Sequence, residues 1–561
     1  MKRPSVSELS LTEKIAQLLM VSQGSLEYRL GNGGRVARTM DEVNEIMTKY
    51  QYGSIYAYGA VGKPKLDADG ITDVTGMRQV TTEQHKSWLE ALQKNVRLPM
   101  LFGMDSETGL WYAFKDAAQA APPLSIGAAN DEELTRKLAK GIAFEHKAAG
   151  SNWRWAPVLD IGNRFSGLLI GRTYSDDIER LTRLATATMQ GMESENVATT
   201  VKHFPGADIY EFRDSHIVTT VINSSLEEWE EKQGKVFQNM IDAGVMTIMT
   251  SHTAFPAVDD EKIKGNYIPA SFSKKIITDL LRKKMGFQGV IITDDVKMGG
   301  ITTICSREEK LIRMINAGHD ILLGVDTYDF DLVYNAVCDG RIPMERIDES
   351  CERVLALKEK IGLFEEKNEQ KVDILEANKM IAEASKGIAE KSITLLYDKN
   401  NLLPLSKEAI KKVAIVCVSH SAKTIEQLEV MKAEFEKRGA KTDLYDGVNR
   451  EIYGNIVDQH DFIVYVGHIS QHRPLGMPSF YDEKMDCFRS AFTRDKEKSM
   501  GVSTGYPYVH HDAMQGADTF ANMYSCDPEC QKAFVKAVYG EIPFIGTSPI
   551  DIVPKLRYVY C

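Results

Sequence analysis

Two adjacent carboxylates, Asp294 and Asp295, stand directly after the apolar run Ile291–Thr293. A carboxylate fixed by the end of a strand at the mouth of a pocket can attack a carbon centre and form a covalent ester, which is the first step of retaining glycosidases. Aspartate is also among the commonest residues that cap the start of a helix. This fragment alone therefore leaves a catalytic and a structural interpretation open.

A second group of chemically capable side chains begins at Lys202 and His203 and ends at Asp214 and His216. Residues two apart in an extended segment point the same way, so we predict that the Asp214 carboxylate pairs with the His216 imidazole. Such a partner orients the ring and stabilises its protonated form, giving a group that can donate and recover a proton. Taken singly, His216 is explained equally well as a surface histidine and Lys202 as a solvated charge.

Two further charged side chains, Asp105 and Arg172, follow apolar or aromatic stretches of the sequence. Carboxylate and guanidinium groups suit bidentate contacts with sugar hydroxyls, and aromatic rings suit stacking on sugar faces. Trp153 and Trp155 are available for stacking, although packing in a core is the better expectation for both.

Short apolar runs alternate with amphipathic helical patterns from about residue 50 to residue 340. The runs predicted as strands are Gly53–Tyr58, Met100–Met104, Trp155–Ile161, Ala198–Phe204, Val245–Thr250, Gly289–Thr293 and Asp320–Leu323. Strands that alternate with helices indicate βαβ units and a parallel sheet. So many units favour an α/β fold with an N-terminal (β/α)8 TIM-like barrel, and an open doubly wound sheet stays the alternative. Both folds place ligands at the carboxyl ends of strands, where the charged residues named above fall.

The length of 561 residues exceeds one ordinary core and predicts two domains. We assign residues 1–361 to the barrel, which would be the catalytic domain, and residues 362–390, which are charged and helix-prone, to a helical linker. Residues 391–561 are predicted to form an αβα sandwich, with Val413–Val418 and Phe462–Gly467 as buried parallel strands.

The composition excludes several classes of partner. Lys and Arg number 68 against 79 Asp and Glu, a net charge of -11, so we expect neither nucleic acid nor membrane as a partner. The sequence contains no apolar run of membrane-spanning length, and polar residues follow its basic start where a signal peptide needs an apolar stretch. We therefore expect a cytoplasmic protein. The eight cysteines have no spacing typical of disulfides or of a complete metal site, so we expect reduced thiols, no metal and no cofactor.

Together these motifs resemble glycoside hydrolase family 3, in its two-domain β-N-acetylglucosaminidase (β-hexosaminidase) branch, over nearly the whole chain. The segments Ile268–Ser273, Leu280–Arg282 and Gly286–Asp295 are similar to the family signature around the nucleophile. The segment Lys202–Gly206 resembles its substrate-binding loop, and Asp214–His216 resembles the dyad that marks the hexosaminidase branch.

The resemblance implies a role for each candidate residue. It makes Asp294 the nucleophile, His216 the general acid/base and Asp214 the partner of His216. The residues that it assigns to binding sugar hydroxyls are Asp105, Arg172, Lys202 and His203. The implied substrate is a small β-linked glycan or glycoside.

The activity implied is removal of terminal β-linked N-acetylglucosamine by double displacement, with retention of configuration. A β-glucosidase or β-xylosidase on the same scaffold is the nearest alternative. Phosphorolysis is another, because a neutral imidazole base does not repel a phosphate acceptor. A non-catalytic carbohydrate-binding protein is a distant alternative, since it would be expected to lack Asp294 or the Asp214–His216 pair.

Overall fold

The structure is a computed structural model of the 561-residue chain. It describes residues 1–31, 34–58, 65–66, 72–73, 80–161, 169–208, 211–365, 372–419, 424–448, 450–469 and 492–552. The chain divides into two compact units. The first comprises Met1–Ala120, Arg136–Asp160 and Ala185–Ala382, and the second comprises Ala121–Thr135, Ile161–Leu184 and Glu383–Cys561. The predicted domain boundaries at residues 361 and 391 stay a prediction.

Eight parallel strands of the described chain form the sheet of the first unit. They are β1 (Leu19–Ser22), β2 (Ser54–Tyr56), β3 (Leu101–Met104), β4 (Trp153–Arg154), β5 (Ala198–Phe204), β6 (Thr247–Thr250), β7 (Val290–Thr293) and β8 (Leu322–Val325). Each strand from β1 to β6 pairs with the next, and β8 pairs with β1. Between β7 and β8, Ile292 bridges Ile321, and the Thr293 N–H donates to the Ile321 carbonyl at 3.0 Å. The predicted (β/α)8 barrel is confirmed.

Helices and short antiparallel ladders connect these strands. The α-helices described up to residue 392, with one π-helix at Lys275–Lys284, are Leu11–Leu18, Gln23–Glu27, Met40–Tyr50, Thr82–Gln93, Pro123–Ala129, Glu132–Ala148, Ile178–Glu193, Leu226–Glu231, Gln233–Asp242, Gly299–Thr302, Arg307–Ala317, Asp329–Cys338, Met344–Lys360 and Ile374–Ser392. Short 3-10 helices lie at Val6–Glu8 and Ala270–Phe272. The ladders are Tyr28–Gly31 with Gly34–Ala37, Lys65–Leu66 with Thr72–Asp73, and Lys262–Ile263 with Asn266–Tyr267. Along the described chain, none of the helices is both long enough and apolar enough to cross a membrane.

Successive side chains along each strand alternate between the interior of the barrel and its outer layer. Met20 of β1 joins the buried cluster inside the barrel, whereas its neighbour Val21 joins the cluster outside, because successive side chains of a strand face opposite ways. Trp153 and Trp155 are fully buried in the interior cluster. Packing, and not sugar stacking, therefore explains both tryptophans. The helix Met344–Lys360 also contributes apolar side chains to this cluster.

The structure differs from the sequence prediction at two strands, β1 and β4. Strand β1 was not predicted, because the helix Leu11–Leu18 runs into it without a turn residue and the apolar pattern is continuous. The strand predicted at Trp155–Ile161 lies earlier, at Trp153–Arg154. Pro157 has no N–H to donate to a central ladder, and only Val158 in the predicted segment forms a bridge, to Lys202.

The second unit contains a six-stranded sheet. Its strands are β9 (Thr394–Asp398), β10 (Lys412–Ser419), β11 (Lys441–Asp446), β12 (Phe462–Ile469), β13 (Ser499–Gly505) and β14 (Thr519–Asn522). Their order is β9-β14-β13-β12-β10-β11, and every pair is parallel except β9 with β14. The helices after residue 392 are Thr424–Gln427, Glu429–Glu436, Arg450–Gln459, Val509–Ala513 and Pro528–Val538.

Both faces of this sheet are covered. Ala414 and Val416 of β10 join one buried cluster, and Val413 and Ile415 join another. A strand that is apolar on both sides is typical of a parallel sheet between two layers of helices. The predicted αβα sandwich is confirmed.

One buried anion, Asp320, ties β7, β8 and the helices around them together. Its Oδ2 accepts from Arg282 at 2.7 Å and from the Ile291 N–H at 2.9 Å. Its Oδ1 accepts from Arg353 at 2.9 Å and from Arg346 at 3.0 Å. Burial favours the neutral acid, but the three guanidinium groups outweigh it and lower the pKa of Asp320.

Replacement of this carboxylate should destabilise the barrel strongly. Asp320→Ala leaves three guanidinium groups without their common anion, so we expect the free energy of unfolding to fall by roughly 3 to 5 kcal/mol. Urea unfolding followed by tryptophan fluorescence measures the change. The matched control is Asp279→Ala, which removes an exposed pair with Lys283 and should cost less than about 0.5 kcal/mol. Equal midpoints for the two variants would contradict the role given to Asp320.

Candidate active site

Asp294 lies directly after β7, at the carboxyl end of the barrel where the sequence predicted it. Its N–H donates to the Thr250 carbonyl of β6 at 2.9 Å, so the ladder itself fixes the backbone of this residue. Its Oδ1 accepts from the Asp295 N–H at 2.8 Å. Sites of (β/α)8 barrels lie at this end, and the strand holds the carboxylate rigidly there.

Three imidazoles lie near enough to the Asp294 carboxylate to affect its pKa. Burial favours its neutral form, but the rings of His203, His252 and His216 outweigh that cost, and the pKa of Asp294 is lowered. The carboxylate is therefore ionised at neutral pH. An ionised carboxylate is the form that can attack a carbon centre.

His252 supports the backbone beside Asp294. Its Nε2–H donates to the Asp295 carbonyl at 3.1 Å, which leaves Nδ1 to accept from the Ser271 hydroxyl at 2.9 Å. Burial lowers the pKa of His252, so the ring is neutral and this tautomer is the one that both contacts require. The sequence placed His252 after a strand but gave it no role.

The neighbouring carboxyl, Asp295, differs from Asp294 in its electrostatics. Burial, together with the charges of Asp294 and Asp326, raises the pKa of Asp295 to about 6, against the opposing effect of Lys297. Two adjacent aspartates thus have pKa values shifted in opposite directions, Asp294 toward the ionised form and Asp295 toward the neutral acid.

The predicted pair of Asp214 and His216 is present. His216 Nδ1–H donates to Asp214 Oδ1 at 2.7 Å, and the His216 backbone N–H donates to the same oxygen at 2.8 Å. The Asp214 side chain is 4% exposed and the His216 side chain is 51% exposed. The pair therefore combines a buried anion with an accessible imidazole ring.

The backbone of this pair is a turn and not the extended segment that the sequence predicted. The N–H groups of Ile217 and Val218 both donate to the Asp214 carbonyl at 3.0 Å. Aspartate favours this geometry because its side chain accepts from the backbone N–H two residues later. The turn brings Asp214 and His216 together through that contact, and not by the alternation of a strand.

The loop that carries His216 docks against the turn that follows Asp294. The Gly299 N–H donates to the His216 carbonyl at 2.7 Å, and the Thr219 hydroxyl donates to the Gly300 carbonyl at 2.5 Å. A Cβ on Gly299 would lie 2.5 Å from the Ile217 carbonyl oxygen and 2.7 Å from that of His216. Only glycine permits an approach this close.

Lys202 lies between two carboxylates. Its ammonium group is 2.8 Å from Asp105 Oδ1 and 3.0 Å from Glu107 Oε1, and its side chain is 2% exposed. The Asp105 side chain is 46% exposed. Asp105 therefore presents an oriented carboxylate at the surface of the site, whereas Lys202 is a buried counter-charge. The sequence prediction did not include Glu107 as a site residue, although this second carboxylate follows Asp105 by two residues.

His203 is oriented by a buried acid, as His216 is. Its Nδ1–H donates to Asp160 Oδ2 at 2.7 Å, and its backbone N–H donates to the same oxygen at 3.2 Å. The Asp160 side chain is 2% exposed. This contact fixes the orientation of the His203 ring and makes Nδ1 its donating nitrogen. The sequence placed Asp160 near a strand end without naming it as the partner of His203.

Arg172 belongs to the second unit, where its N–H donates to the Leu169 carbonyl at 2.9 Å. Its assignment to a sugar hydroxyl stays a prediction. The other six candidates lie in the first unit. They are Asp105, Lys202, His203, Asp214, His216 and Asp294. No group of three or more His, Cys, Asp or Glu side chains in the described part of the chain could hold a metal ion.

The family model of the glycosyl hydrolase family 3 N-terminal domain matches residues 10–357, which include these six residues. This chain belongs to glycoside hydrolase family 3. The predicted family is therefore confirmed, and the protein is a glycoside hydrolase that acts on a carbohydrate.

Relatives of this family 3 chain carry several substrate names. The beta-N-acetylglucosaminidase/beta-glucosidase of Cellulomonas fimi is 26% identical over 496 residues, which are 85% of this chain and 87% of that one. A beta-hexosaminidase of Methylobacillus flagellatus is 30% identical over 247 residues, 43% of this chain and 68% of that one. The solved beta-glucoside phosphorylase BglX is 25% identical with a TM-score of 0.81, covering 98% of this chain and 95% of that one.

The contact at Gly299 generates a prediction for this family 3 site. Gly299→Ala must displace the His216 loop, and a displacement of about 1 Å can lower the catalytic rate roughly a hundredfold. We expect kcat/KM on an aryl glycoside to fall by about that factor. The control is Gly454→Ala in the second unit, where the nearest atom to an added Cβ is 3.9 Å away. Wild-type kcat/KM in Gly299→Ala would show that the loop does not need this contact.

Proposed function

We propose that this family 3 glycoside hydrolase removes terminal β-linked N-acetylglucosamine from small glycans or glycosides with retention of configuration. The observation that carries the proposal is the Asp214–His216 pair, held by the Gly299 contact beside the strand-end carboxylate Asp294. An ionised carboxylate and an oriented imidazole are the two groups that a double displacement requires.

In the first step the Asp294 carboxylate attacks the anomeric carbon from the face opposite the leaving group. As the bond to the leaving oxygen breaks, His216 in its protonated form gives that oxygen its Nε2 proton. The products are a covalent glycosyl ester on Asp294 and a free alcohol. Asp214 keeps Nδ1 protonated and stabilises the cationic ring before the transfer.

In the second step the neutral His216 removes a proton from water, and the resulting hydroxide attacks the anomeric carbon of the ester. The bond to Asp294 breaks, the carboxylate is regenerated, and His216 is again protonated. Two inversions give net retention. Asp105 and His203 hold the sugar hydroxyls in this proposal, and Lys202 fixes the orientation of Asp105; Arg172 is proposed as a further sugar contact.

Phosphorolysis is a second candidate, favoured by the similarity to the solved beta-glucoside phosphorylase BglX along almost the whole chain. A neutral imidazole does not repel an anionic acceptor as a carboxylate base would, so phosphate can take the place of water on the glycosyl ester. The product would then be a sugar 1-phosphate. A β-glucosidase or β-xylosidase activity is the other variant, since the relative from Cellulomonas fimi carries both substrate names.

The experiment that tests this proposal is a panel of 4-nitrophenyl β-glycosides, each assayed with and without inorganic phosphate and followed by product analysis. Fastest cleavage of the N-acetylglucosaminide supports the proposed sugar, and faster cleavage of the glucoside or xyloside rejects it. Free sugar in the presence of phosphate supports hydrolysis, whereas sugar 1-phosphate identifies phosphorolysis. Binding of sugars without cleavage of any glycoside would indicate a carbohydrate-binding protein.

Asp294→Ala should abolish turnover, because it removes the only group proposed to form the covalent ester. We expect kcat on 4-nitrophenyl N-acetyl-β-glucosaminide to fall by at least roughly a thousandfold. Added azide should restore part of the rate and give the α-glycosyl azide, since it attacks from the vacated face. Asp279→Ala, which changes an exposed aspartate, is the control. Activity near that of the wild type would reject Asp294 as the nucleophile.

His216→Ala should slow each step according to its need for proton transfer. With 2,4-dinitrophenyl as the leaving group, the ester still forms, because this group departs without protonation. We expect the glycosyl ester on Asp294 to accumulate and to be detectable by mass spectrometry, and azide to release it as the β-glycosyl azide. With alkyl leaving groups, kcat/KM should fall by roughly a thousandfold. Equal losses for both kinds of leaving group would count against His216 as the acid.

A further inference from the structure

Three exposed apolar side chains flank His216 on its own loop. Phe212 is 57% exposed, Ile217 is 50% exposed and Val218 is 38% exposed. Large apolar side chains exposed within a seven-residue stretch of loop are unfavourable in water. Exposed apolar side chains grouped beside a site can serve as a binding surface for an apolar ligand face.

The loop cannot readily turn these side chains inward, because polar contacts brace it at both ends. Asp208 Oδ2 accepts from the Asn223 N–H at 2.6 Å, and Glu211 Oε2 accepts from the Val221 N–H at 3.0 Å. The returning strand of the loop also pairs with the segment after β6, where the Ile222 N–H donates to the Ala254 carbonyl at 2.8 Å.

The inner side of the loop is occupied as well. The carbonyl oxygens of His216 and Ile217 lie against Gly299, and those of Ser215 and Val218 lie against Gly300. Because the backbone of the loop is held on this side, the side chains of Ile217 and Val218 stay exposed to solvent. Their exposure is therefore a property of how the loop docks.

The chemistry of the proposed first step places the leaving group beside this patch. His216 must come within hydrogen-bond distance of the glycosidic oxygen, and the leaving group is bonded to that oxygen. Whatever is attached there must lie next to the loop that carries His216. The sugar that is transferred lies instead over Asp294.

We propose that Phe212, Ile217 and Val218 form the binding surface for the leaving group, and that this surface selects leaving groups with an apolar face. Such a face is offered by an aromatic ring or by the C–H face of a second pyranose. This inference rests on the proposed roles of Asp294 and His216. It adds a preference among leaving groups, which Asp294 and His216 do not determine.

The test compares leaving groups of similar acidity but different apolar area. The aryl pair is 2,4-dinitrophenyl N-acetyl-β-glucosaminide against N-acetyl-β-glucosaminyl azide. The sugar pair is N,N′-diacetylchitobiose against methyl N-acetyl-β-glucosaminide. For each pair, the ratio of kcat/KM for the larger to the smaller leaving group isolates contacts made by the leaving group alone.

In Phe212→Ala we expect the aryl ratio to fall about tenfold, because a ring contact of this kind contributes on the order of one aromatic pair. Ile217→Ser should also lower the aryl ratio. This second variant keeps the test valid if Phe212→Ala fails to fold. The control is Leu375→Ala, which removes an apolar side chain that is 70% exposed on the helix Ile374–Ser392 and should keep both wild-type ratios. A fall in the sugar ratio as well identifies a pyranose as a second source of the apolar face.

Wild-type ratios in both Phe212→Ala and Ile217→Ser, in an enzyme that cleaves these substrates, would overturn the inference and leave the proposed function intact. A wild-type protein that cleaves none of the four substrates would instead reject the proposed function, and the inference with it. A ratio that changes equally in Leu375→Ala would show that the effect is not local to the loop.

Discussion

The hydrogen bond from the Gly299 N–H to the His216 carbonyl joins two loops that leave different strands of the barrel. One loop follows β7 and begins with Asp294, and the other follows β5 and carries His216. The barrel fixes the first through the ladder between β6 and β7, whereas contacts with neighbouring loops hold the second. The absence of a side chain on Gly299 allows the close approach, and the proposed acid and nucleophile depend on it.

Charged and polar groups around the site occur in pairs, each with one buried member and one more accessible member. Asp160 and Asp214 are buried, and each accepts a hydrogen bond from Nδ1 of one ring, that of His203 or of His216. Lys202 is likewise buried, and it fixes a carboxylate that is half-exposed, Asp105. In each case the contact with the buried ion holds the other member of the pair in one orientation.

Much of the fold followed from local pattern. Alternating apolar runs and helical periods predicted the barrel and the second sheet, because burial of strands and helix faces has a fixed period in sequence. The pattern failed at β1, where a helix passes directly into a strand and both are apolar. It failed again at Trp155–Ile161, where Pro157 prevents a regular ladder and the pairing is confined to Trp153–Arg154.

The sequence by itself determined that Asp294 ends a strand, that Asp214 and His216 are close enough to pair, and that charged groups gather at one end of the barrel. Tertiary structure decided the rest. It supplied the turn that forms the pair, the partners Glu107, Asp160 and His252, and the contact at Gly299. The reason is physical: spacing along the chain governs contacts within a turn or strand, whereas a hydrogen bond between loops depends on which strands are neighbours in the closed barrel.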